Sequence, residues 1–405
     1  MAGLELFFFY LLGASSSLSL AAINAAQVGL SLFFLWRLVR LRYRPGIPEA
    51  ALVVFFGWNV VAALFSPYVP DALNGVLNYW SWTALLVGAG LPWAVRKHVK
   101  TYAVFLAVSA ALTVPMSALT FFIGTDFHHE HLFTKLPVGA TAAYGYFSHH
   151  LTYAGVMLAA ACFLGARAVY GREGKKAGWW AASALAGLGL FFSLARTYYL
   201  AAVPSAAVLL WKKGKKWLIG GFLAAAVVGG MAMAFGPASF RQRIENTWNM
   251  SNPSNAERIY LWISGFHMWE THPVVGWGPG IYEQVAGPYK APYASRIHYP
   301  TFTGYLTRSH CHNLYLMIAI QTGAVGLVLF LAFAILAFRG MLKQADPVLK
   351  YGAMAAFTAF LFGGLFEFNG GDAEVATLVF FLVGLALNRS GGEDEDGDDD
   401  HPAAL

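Results

Sequence analysis

Residues 177–210 read AGWWAASALAGLGLFFSLARTYYLAAVPSAAVLL, with Arg196 as the charged residue inside an otherwise apolar stretch. A helix that crosses the hydrocarbon of a bilayer needs about 20 apolar residues, so this stretch is too long for one crossing. We therefore expect two membrane helices that meet near Ala195–Thr197. An ionisable residue at such a junction is a candidate for function, although an arginine that merely extends to the lipid headgroups explains Arg196 equally well.

The composition of the whole chain agrees with a membrane protein. Of 405 residues, 58% are hydrophobic and 12% are charged, whereas soluble proteins carry roughly 25% charged residues. Such a chain cannot cover a water-facing surface, which excludes a nucleic-acid-binding protein, a secreted disulfide scaffold and a soluble enzyme. The cysteines, Cys162 and Cys311, predict neither a disulfide framework nor thiolate metal ligands.

Apolar runs between charges and turn residues predict an all-α polytopic membrane protein with about twelve transmembrane helices. The expected spans lie near 5–20, 21–37, 49–66, 72–93, 101–123, 148–166, 177–195, 197–211, 217–236, 312–338, 350–366 and 373–388. The predicted organisation places helices 1–9 in 1–236, a periplasmic loop with amphipathic helices in 237–311, helices 10–12 in 312–390, and an acidic cytoplasmic tail in 391–405.

Basic residues fall into two groups once these spans are drawn. Nineteen of the 27 Lys and Arg residues lie in alternate loops, as is typical of cytoplasmic loops. With both termini cytoplasmic, the remaining eight face the outer side: Lys135, Arg196, Arg241, Arg243, Arg258, Lys290, Arg296 and Arg308. Arginine predominates in this second group, and its planar fork suits phosphate oxygens. We therefore expect any chemistry on the outer face.

The long outer loop contains a candidate amphipathic helix. The sequence Ser254-Asn255-Ala256-Glu257 predicts a capping box that opens a helix, and His272-Pro273 should end it. Its apolar residues recur at helical spacing on one face: Ile259, Trp262, Phe266 and Trp269. A strut in the membrane interface would explain this pattern, but Arg258 in the first turn favours a functional helix.

His312 opens the predicted tenth span. A neutral imidazole that faces a cavity could accept a proton from a hydroxyl group. A histidine that satisfies the free N–H groups at a helix start is the alternative, and the residues around His312 alone favour it. The acidic cluster Glu367–Glu374 could bind a substrate hydroxyl or, as we favour, pair with an outer arginine.

A functional metal is a competing explanation for the many outer histidines. His128, His129, Glu130 and His131 match no established metal-ligand spacing. The outer stretches also contain no Asp-x-Asp or Glu-x-x-His pair. We therefore expect no metal.

Three segments resemble the signatures of the O-antigen ligase family, which also contains the O-antigen polymerases and bacterial protein O-oligosaccharyltransferases. They are Arg196-Thr197-Tyr198-Tyr199-Leu200, Arg258–Trp262 followed by His272–Gly280, and His312-Asn313 followed after nine residues by Gly323-Ala324-Val325-Gly326. Two further segments, Phe147–Ala154 and Phe366–Glu374, resemble the lipopolysaccharide ligase branch of that family more than the other branches.

The resemblance implies a GT-C-type, metal-independent, inverting glycosyltransferase without a cofactor in the bacterial inner membrane. Its donor would be a glycan linked to undecaprenyl diphosphate, and its acceptor would be a sugar hydroxyl of lipid A–core on the periplasmic side. Its other contacts would be membrane lipids, with no nucleic acid. The sequence does not indicate an oligomeric state.

The resemblance also implies roles for individual residues. His312 would be the catalytic base. Arg196 and Arg258 would bind the diphosphate, supported by Arg241, Arg243, Arg296 or Arg308. Weaker candidates for substrate binding are His310, Asn313, His149, His150, Glu367 and Asp372.

Two other functions remain open at this point. An O-antigen polymerase or a protein O-oligosaccharyltransferase would use the same donor with a different acceptor. A transporter of lipid-linked glycans would need ionisable residues near the middle of the membrane and inverted repeats. The outer charges instead concentrate at one face, and the sequence shows no such repeat.

Overall fold

A computed structural model describes residues 2–40, 43–123, 142–172, 174, 176–235, 238–247, 249, 252–296 and 310–388. All regular structure in these residues is helical. Five of the described helices are long and apolar enough to cross a membrane: Leu20–Arg40, Ile47–Leu64, Val99–Ile123, His150–Tyr170 and Leu314–Leu342. The prediction of an all-helical membrane protein is confirmed at this level, whereas the count of twelve spans and the GT-C class stay predictions.

Ten described α-helices lie before residue 211. They are α1 (Ala2–Ser15), α2 (Leu20–Arg40), α3 (Ile47–Leu64), α4 (Val69–Leu77), α5 (Ala84–Ala89), α6 (Trp93–Arg96), α7 (Val99–Ile123), α8 (His150–Tyr170), α9 (Lys176–Phe192) and α10 (Arg196–Leu210). A 3₁₀ turn at Trp80–Thr83 lies between α4 and α5.

The second half contributes the remaining described helices. They are α11 (Lys215–Phe235), α12 (Ala238–Glu245), α13 (Pro253–Thr271), α14 (Tyr282–Val285), α15 (Gly287–Lys290), α16 (Leu314–Leu342), α17 (Pro347–Gly363) and α18 (Ala373–Leu387). The predicted stop at His272-Pro273 agrees with the end of α13. The long run 177–210 divides between Phe192 and Arg196, close to the predicted junction.

The fourth predicted span, 72–93, is wrong as a single helix. The chain is broken there into α4, the 3₁₀ turn, α5 and α6. The break turns Trp82 into the core, where its Nε1 donates a hydrogen bond of 2.9 Å to the carbonyl oxygen of Gly370. Gly75 lies against the backbone of Pro279, since an added Cβ would come within 2.2 Å of that carbonyl oxygen. These tertiary contacts, rather than the hydropathy of the stretch, decide its structure.

Helices α8 and α18 form the centre of the molecule. Every described residue of α18 from Val375 to Leu387 is buried, although a lone membrane helix of this composition would expose its side chains to lipid. Gly88 of α5 and Gly384 of α18 permit close packing, because an added Cβ at Gly384 would lie 2.2 Å from the carbonyl oxygen of Leu85. Small residues at helix contacts are the usual means by which membrane helices approach each other.

Helix α16 is broken at Gly323, where φ is 67° and ψ is −173°. The loop after α13 docks into this break. Trp277 N–H donates to the carbonyl of Ile320 (2.8 Å), Gly278 N–H to Gln321 (2.9 Å), and Ala324 N–H to Pro273 (2.8 Å). The loop therefore takes over hydrogen bonds that a continuous helix would have made within itself.

The docking of residues 273–278 into the break at Gly323 is called the interlock below. It explains why the glycine-rich loop His272–Gly280 and the segment Gly323–Gly326 occur in the same chain. A Cβ at Gly323 would lie 2.0 Å from the carbonyl oxygen of Val274, and a Cβ at Gly276 would lie 2.5 Å from the backbone of Gln321. Both glycines also have positive φ. The docked loop attaches the end of α13 to α16. The interlock therefore helps to fix the position of the start of α13 relative to the start of α16.

We expect Gly323→Ala to destabilise the protein by about 2 kcal/mol or more, since it combines a backbone clash with a left-handed φ. The measurement is thermal unfolding of the purified protein in detergent. Gly187→Ala in α9 is the matched control, because nothing lies within 4 Å of its added Cβ, and it should unfold at or above the wild-type temperature. Equal unfolding temperatures for Gly323→Ala and the wild type would contradict the interlock.

Candidate active site

A cavity of about 290 Å³ opens where α8, α10 and α13 begin, beside the turn that follows α17. It brings together side chains that are far apart in the sequence. Five of them are predicted site residues: His149, His150, Arg196, Arg258 and His312. The structure thus assembles the residues of all three motifs around one space, while their chemical roles stay predictions.

His312 occupies a strained position directly before α16. The two non-glycine residues with positive φ in the described part of the chain are Leu194 (52°) and His312 (51°), and both line this cavity. A left-handed conformation at such residues costs free energy and is common at functional sites. The side chain of Asn313 caps α16 by accepting a hydrogen bond from Leu316 N–H, so His312 lies just outside the helix.

The imidazole of His312 is held by Glu367. Its Nδ1 lies 2.8 Å and 2.9 Å from the two carboxylate oxygens of Glu367, and both side chains are buried. Because a carboxylate accepts hydrogen bonds, Nδ1 of a neutral imidazole carries the proton, which leaves Nε2 as an acceptor. The pair therefore has the arrangement that a general base requires.

Glu367 is charged in spite of its burial. Burial raises the pKa of this carboxyl, but the hydrogen bond from His312 and the electrostatic attraction of the adjacent His312, His310 and Arg258 side chains outweigh it and lower the pKa to about 2. Arg258 Nη2 lies 3.8 Å from the carboxylate, as does His310 Nε2. The predicted pairing of this acidic cluster with an outer arginine is found here, although His312 is the closer partner.

The two predicted diphosphate ligands approach the cavity from different helices. Arg196 is the first residue of α10, and its Nη2 donates a hydrogen bond of 3.1 Å to Asn255 Oδ1. Asn255 is itself held, since its Nδ2 donates to the carbonyls of Asn246 and Asn249 at 2.9 Å each. Arg258 lies on α13, about one helical turn after Asn255. The Nε of Arg258 has no hydrogen-bond partner among the described residues.

The predicted capping box is misplaced by this geometry. Helix α13 begins at Pro253, so Ser254, which a capping box would place at the N-cap, is already the second residue of the helix. The amide of Asn255 then serves to position Arg196. A local pattern of sequence could not show this use, because the partner lies 59 residues away.

Helix dipoles add to the positive charge of the cavity. The first residues of α8 and α10 both line it: His150 and Leu151 for α8, and Arg196 and Thr197 for α10. Helix N-termini carry a partial positive charge and free N–H groups, which favour bound anions. Together with two guanidinium groups, they form a site suited to a phosphate or diphosphate.

Other predicted residues either do not line this cavity or lie outside the described residues. Arg241 is exposed on α12 and does not line it. The side chains of Arg243 and Arg296 lie outside the described residues, as do Arg308, the histidines at 128–131 and the acidic tail. The side-chain amide of Asn313 makes two hydrogen bonds within the protein. Its Oδ1 accepts from Leu316 N–H, and its Nδ2 donates to the carbonyl of Leu365.

His310 and Asp372 line a different cavity. Burial and the nearby carboxylates of Glu367 and Glu374 raise the pKa of Asp372 well above its usual range, and a hydrogen bond with Thr152 opposes that shift. Asp372 is therefore a hydrogen-bonding residue between α8 and the start of α18 rather than a partner of the cavity arginines.

His310, His312 and Glu367 could also hold a metal ion, because their ligand atoms lie within 4.8 Å of one another. Two imidazoles and a carboxylate are a familiar ligand set for zinc. However, the guanidinium of Arg258 lies 3.8 Å from the same carboxylate, and its charge would repel a divalent cation. The hydrogen-bonded pair fits this charge arrangement better, so metal independence stays our prediction.

One further cavity residue was not among the predicted ligands. The indole Nε1 of Trp262 is buried and has no hydrogen-bond partner among the described residues, although Trp262 lines the cavity. It could donate to a phosphate oxygen. In the sequence, the helical spacing of Trp262 with Ile259 and Phe266 indicated only an apolar helix face. Such a pattern does not show whether the face contacts the membrane or lines a cavity.

Comparison with known proteins agrees with the motifs. Residues 181–331 match the family model described as O-antigen ligase, and this range includes Arg196, Arg258 and His312. No curated protein matches the chain. The match supports membership of the O-antigen ligase family, which confirms the family predicted from the motifs.

The lowered pKa of Glu367 predicts an acid-sensitive contribution to stability. A carboxyl whose pKa falls from 4.5 to about 2 on folding stabilises the fold above pH 4.5 and loses this contribution as the pH falls toward 2. We expect the wild-type unfolding temperature to fall more steeply from about pH 5 to about pH 3 than that of Glu367→Gln. Glu270→Gln, at an exposed carboxylate, should follow the wild type. Parallel curves for Glu367→Gln and the wild type would contradict the ion pair.

Proposed function

We propose that this member of the O-antigen ligase family is an inverting glycosyltransferase that moves a glycan from undecaprenyl diphosphate to a sugar hydroxyl of lipid A–core. The observation that carries the proposal is one cavity in which two arginines and a histidine meet, the histidine being bonded to a buried carboxylate. The family match supports a transferase in general.

The arginines supply the charge that the leaving group requires. Negative charge accumulates on a diphosphate as the glycosidic bond breaks, and preorganised cations stabilise that charge most in the transition state. Arg196 and Arg258 approach from separate helices and can contact different phosphate groups. The N-termini of α8 and α10 add N–H donors on the same side.

His312 acts on the acceptor. Its Nε2 takes the proton of the attacking hydroxyl while the oxygen forms a bond to the anomeric carbon. The bond between that carbon and the diphosphate oxygen breaks, and undecaprenyl diphosphate leaves with the electron pair. The imidazolium formed in this step is stabilised by the carboxylate of Glu367 at 2.8 Å, as in other histidine–carboxylate pairs. A single displacement inverts the configuration of the anomeric carbon.

In this scheme the protein's own cations take the place of a metal ion. The neutralising charges come from Arg196 and Arg258, and the base is an imidazole whose orientation Glu367 determines. No cofactor is needed, because the donor arrives already activated by its diphosphate.

The direction of the helices supports a periplasmic site. Helix α8 has 21 residues, about 30 Å, with His150 at the cavity and Arg167 in its last turn. Helices α10 and α16 likewise begin at or beside the cavity and end near Lys212 and Arg339, respectively. Basic loops remain cytoplasmic, so we place both termini in the cytoplasm and the cavity at the periplasmic face of a bacterial inner membrane.

A reconstituted transfer assay tests the proposal. Purified protein is incubated with lipid-diphosphate glycan and lipid A–core, both prepared from the bacterium that encodes the chain. We expect glycosylated lipid A–core, with the same yield in the presence of EDTA. Products that are only longer lipid-linked chains would indicate a polymerase instead, and loss of transfer in EDTA with recovery on adding a divalent metal would contradict the metal-free mechanism.

Two variants test the role of His312 as base and the role of Arg196 as diphosphate ligand independently of each other. His312→Ala should reduce transfer by about a thousandfold or more while the donor still binds. Arg196→Lys keeps the charge but loses the planar fork, so it should raise the donor KM and lower kcat. The measurement is steady-state kinetics together with binding of labelled donor. Full activity in either variant would contradict the role given to that residue. Loss of donor binding in His312→Ala would contradict the assignment of His312 to catalysis rather than to donor binding.

A further inference from the structure

A second cavity, of about 520 Å³, lies beside His310, whose ring contacts that of His312. It is enclosed by the end of α4, the start of α14, the first half of α16 and the turn before α18. Its lining includes Asn78, Tyr79, Tyr282, Glu283, His310 and Asp372. None of these residues belongs to the cavity that we assign to the diphosphate.

Two neighbouring histidine side chains connect the two cavities. His312 lines the first cavity and His310 the second, while the centroids of their rings are 4.4 Å apart. Glu367 lies against both, since His310 Nε2 is 3.8 Å from its carboxylate. A ligand in the second cavity is therefore close to the catalytic pair without displacing the diphosphate.

The cavities differ in charge. The first contains Arg196 and Arg258. The lining residues described for the second include the acids Glu283 and Asp372 and contain neither Lys nor Arg. Without a guanidinium or ammonium group among its described lining residues, the second cavity lacks a cationic ligand for phosphate, so it suits an uncharged ligand.

Tyr282 supplies a buried hydroxyl without a partner. The residue is 2% exposed, lines the cavity, and its hydroxyl has no hydrogen-bond partner among the described residues. Burial raises the pKa of Tyr282, which keeps the hydroxyl protonated and able to donate. A buried polar group without a partner is costly, and a hydroxyl of a ligand would satisfy it.

The chemistry of the lining matches a sugar ring. Tyr79, Tyr282 and Phe368 provide aromatic surface, while Asn78 and Glu283 provide an amide and a carboxylate for hydroxyls. The hydroxyl of Tyr79 donates a hydrogen bond to Gln321 Oε1. Cavities with aromatic walls and a few placed polar groups are typical of small-molecule sites.

We propose that the second cavity binds an uncharged sugar residue of the acceptor saccharide, next to the sugar whose hydroxyl reacts at His312. This inference rests on the proposed glycosyl transfer. The reacting hydroxyl itself lies beside Nε2 of His312, in the cavity that holds the diphosphate.

Matched pairs of variants test the assignment. Tyr282→Phe and Glu283→Ala each remove a polar group of the cavity. Their controls are Tyr289→Phe and Gln284→Ala, whose side chains contact Thr271 and Asp71 and do not line the cavity. Steady-state transfer kinetics are measured separately for donor and acceptor, with thermal unfolding of every variant.

We expect Tyr282→Phe and Glu283→Ala each to raise the KM for lipid A–core about fivefold and to leave the donor KM unchanged, while both controls behave as the wild type. An unchanged acceptor KM, or a rise in the donor KM instead, would overturn the inference. Because Glu283 is exposed, its variant keeps the test valid if Tyr282→Phe fails to fold.

A binding measurement separates this inference from the proposed function. The core oligosaccharide, released from its lipid and freed of phosphate, is titrated calorimetrically into the purified protein. Weaker binding by Tyr282→Phe than by Tyr289→Phe supports the cavity whether or not transfer occurs, and equal binding by the two variants overturns it. Failure of the wild-type protein to transfer glycan would instead count against the proposed function.

Discussion

The hydrogen bond between His312 Nδ1 and the Glu367 carboxylate is the contact on which the site depends. It joins the start of α16 to the turn between α17 and α18, and it is buried. A buried charge is stable only when hydrogen bonds and opposite charges compensate it, and Phe368 N–H, His310 and Arg258 complete that compensation. The same bond determines which nitrogen of His312 faces the cavity. Catalytic geometry and local stability therefore share one interaction.

The break at Gly323 is the second constraint, because it connects the two motifs of the outer region mechanically. The loop after α13 hydrogen-bonds to the carbonyls that the break leaves free, so the end of α13 is attached to α16. Arg258 and His312 are thereby held on facing sides of one cavity. Precise positioning of this kind contributes much of the rate enhancement of enzymes.

Much of this arrangement could be predicted from the sequence, and the exceptions have physical reasons. The apolar runs indicated most helices, and Arg196, Arg258 and His312 were expected to act together before their shared cavity was known. The 72–93 segment was misjudged because contacts with Gly370 and Pro279 override its hydropathy. The role of Asn255 and the second cavity depend on residues brought together from distant parts of the chain. Neither periodicity nor local capping rules contain that information.

The central claim is that the diphosphate lies between Arg196 and Arg258 beside His312. A cryo-electron microscopy map of the protein with bound undecaprenyl diphosphate tests it most directly. The account predicts phosphate oxygens at hydrogen-bonding distance, about 3 Å, from both guanidinium groups, with Nε2 of His312 facing the space beside the terminal phosphate. A diphosphate in the second cavity, or one that contacts neither arginine, would contradict it.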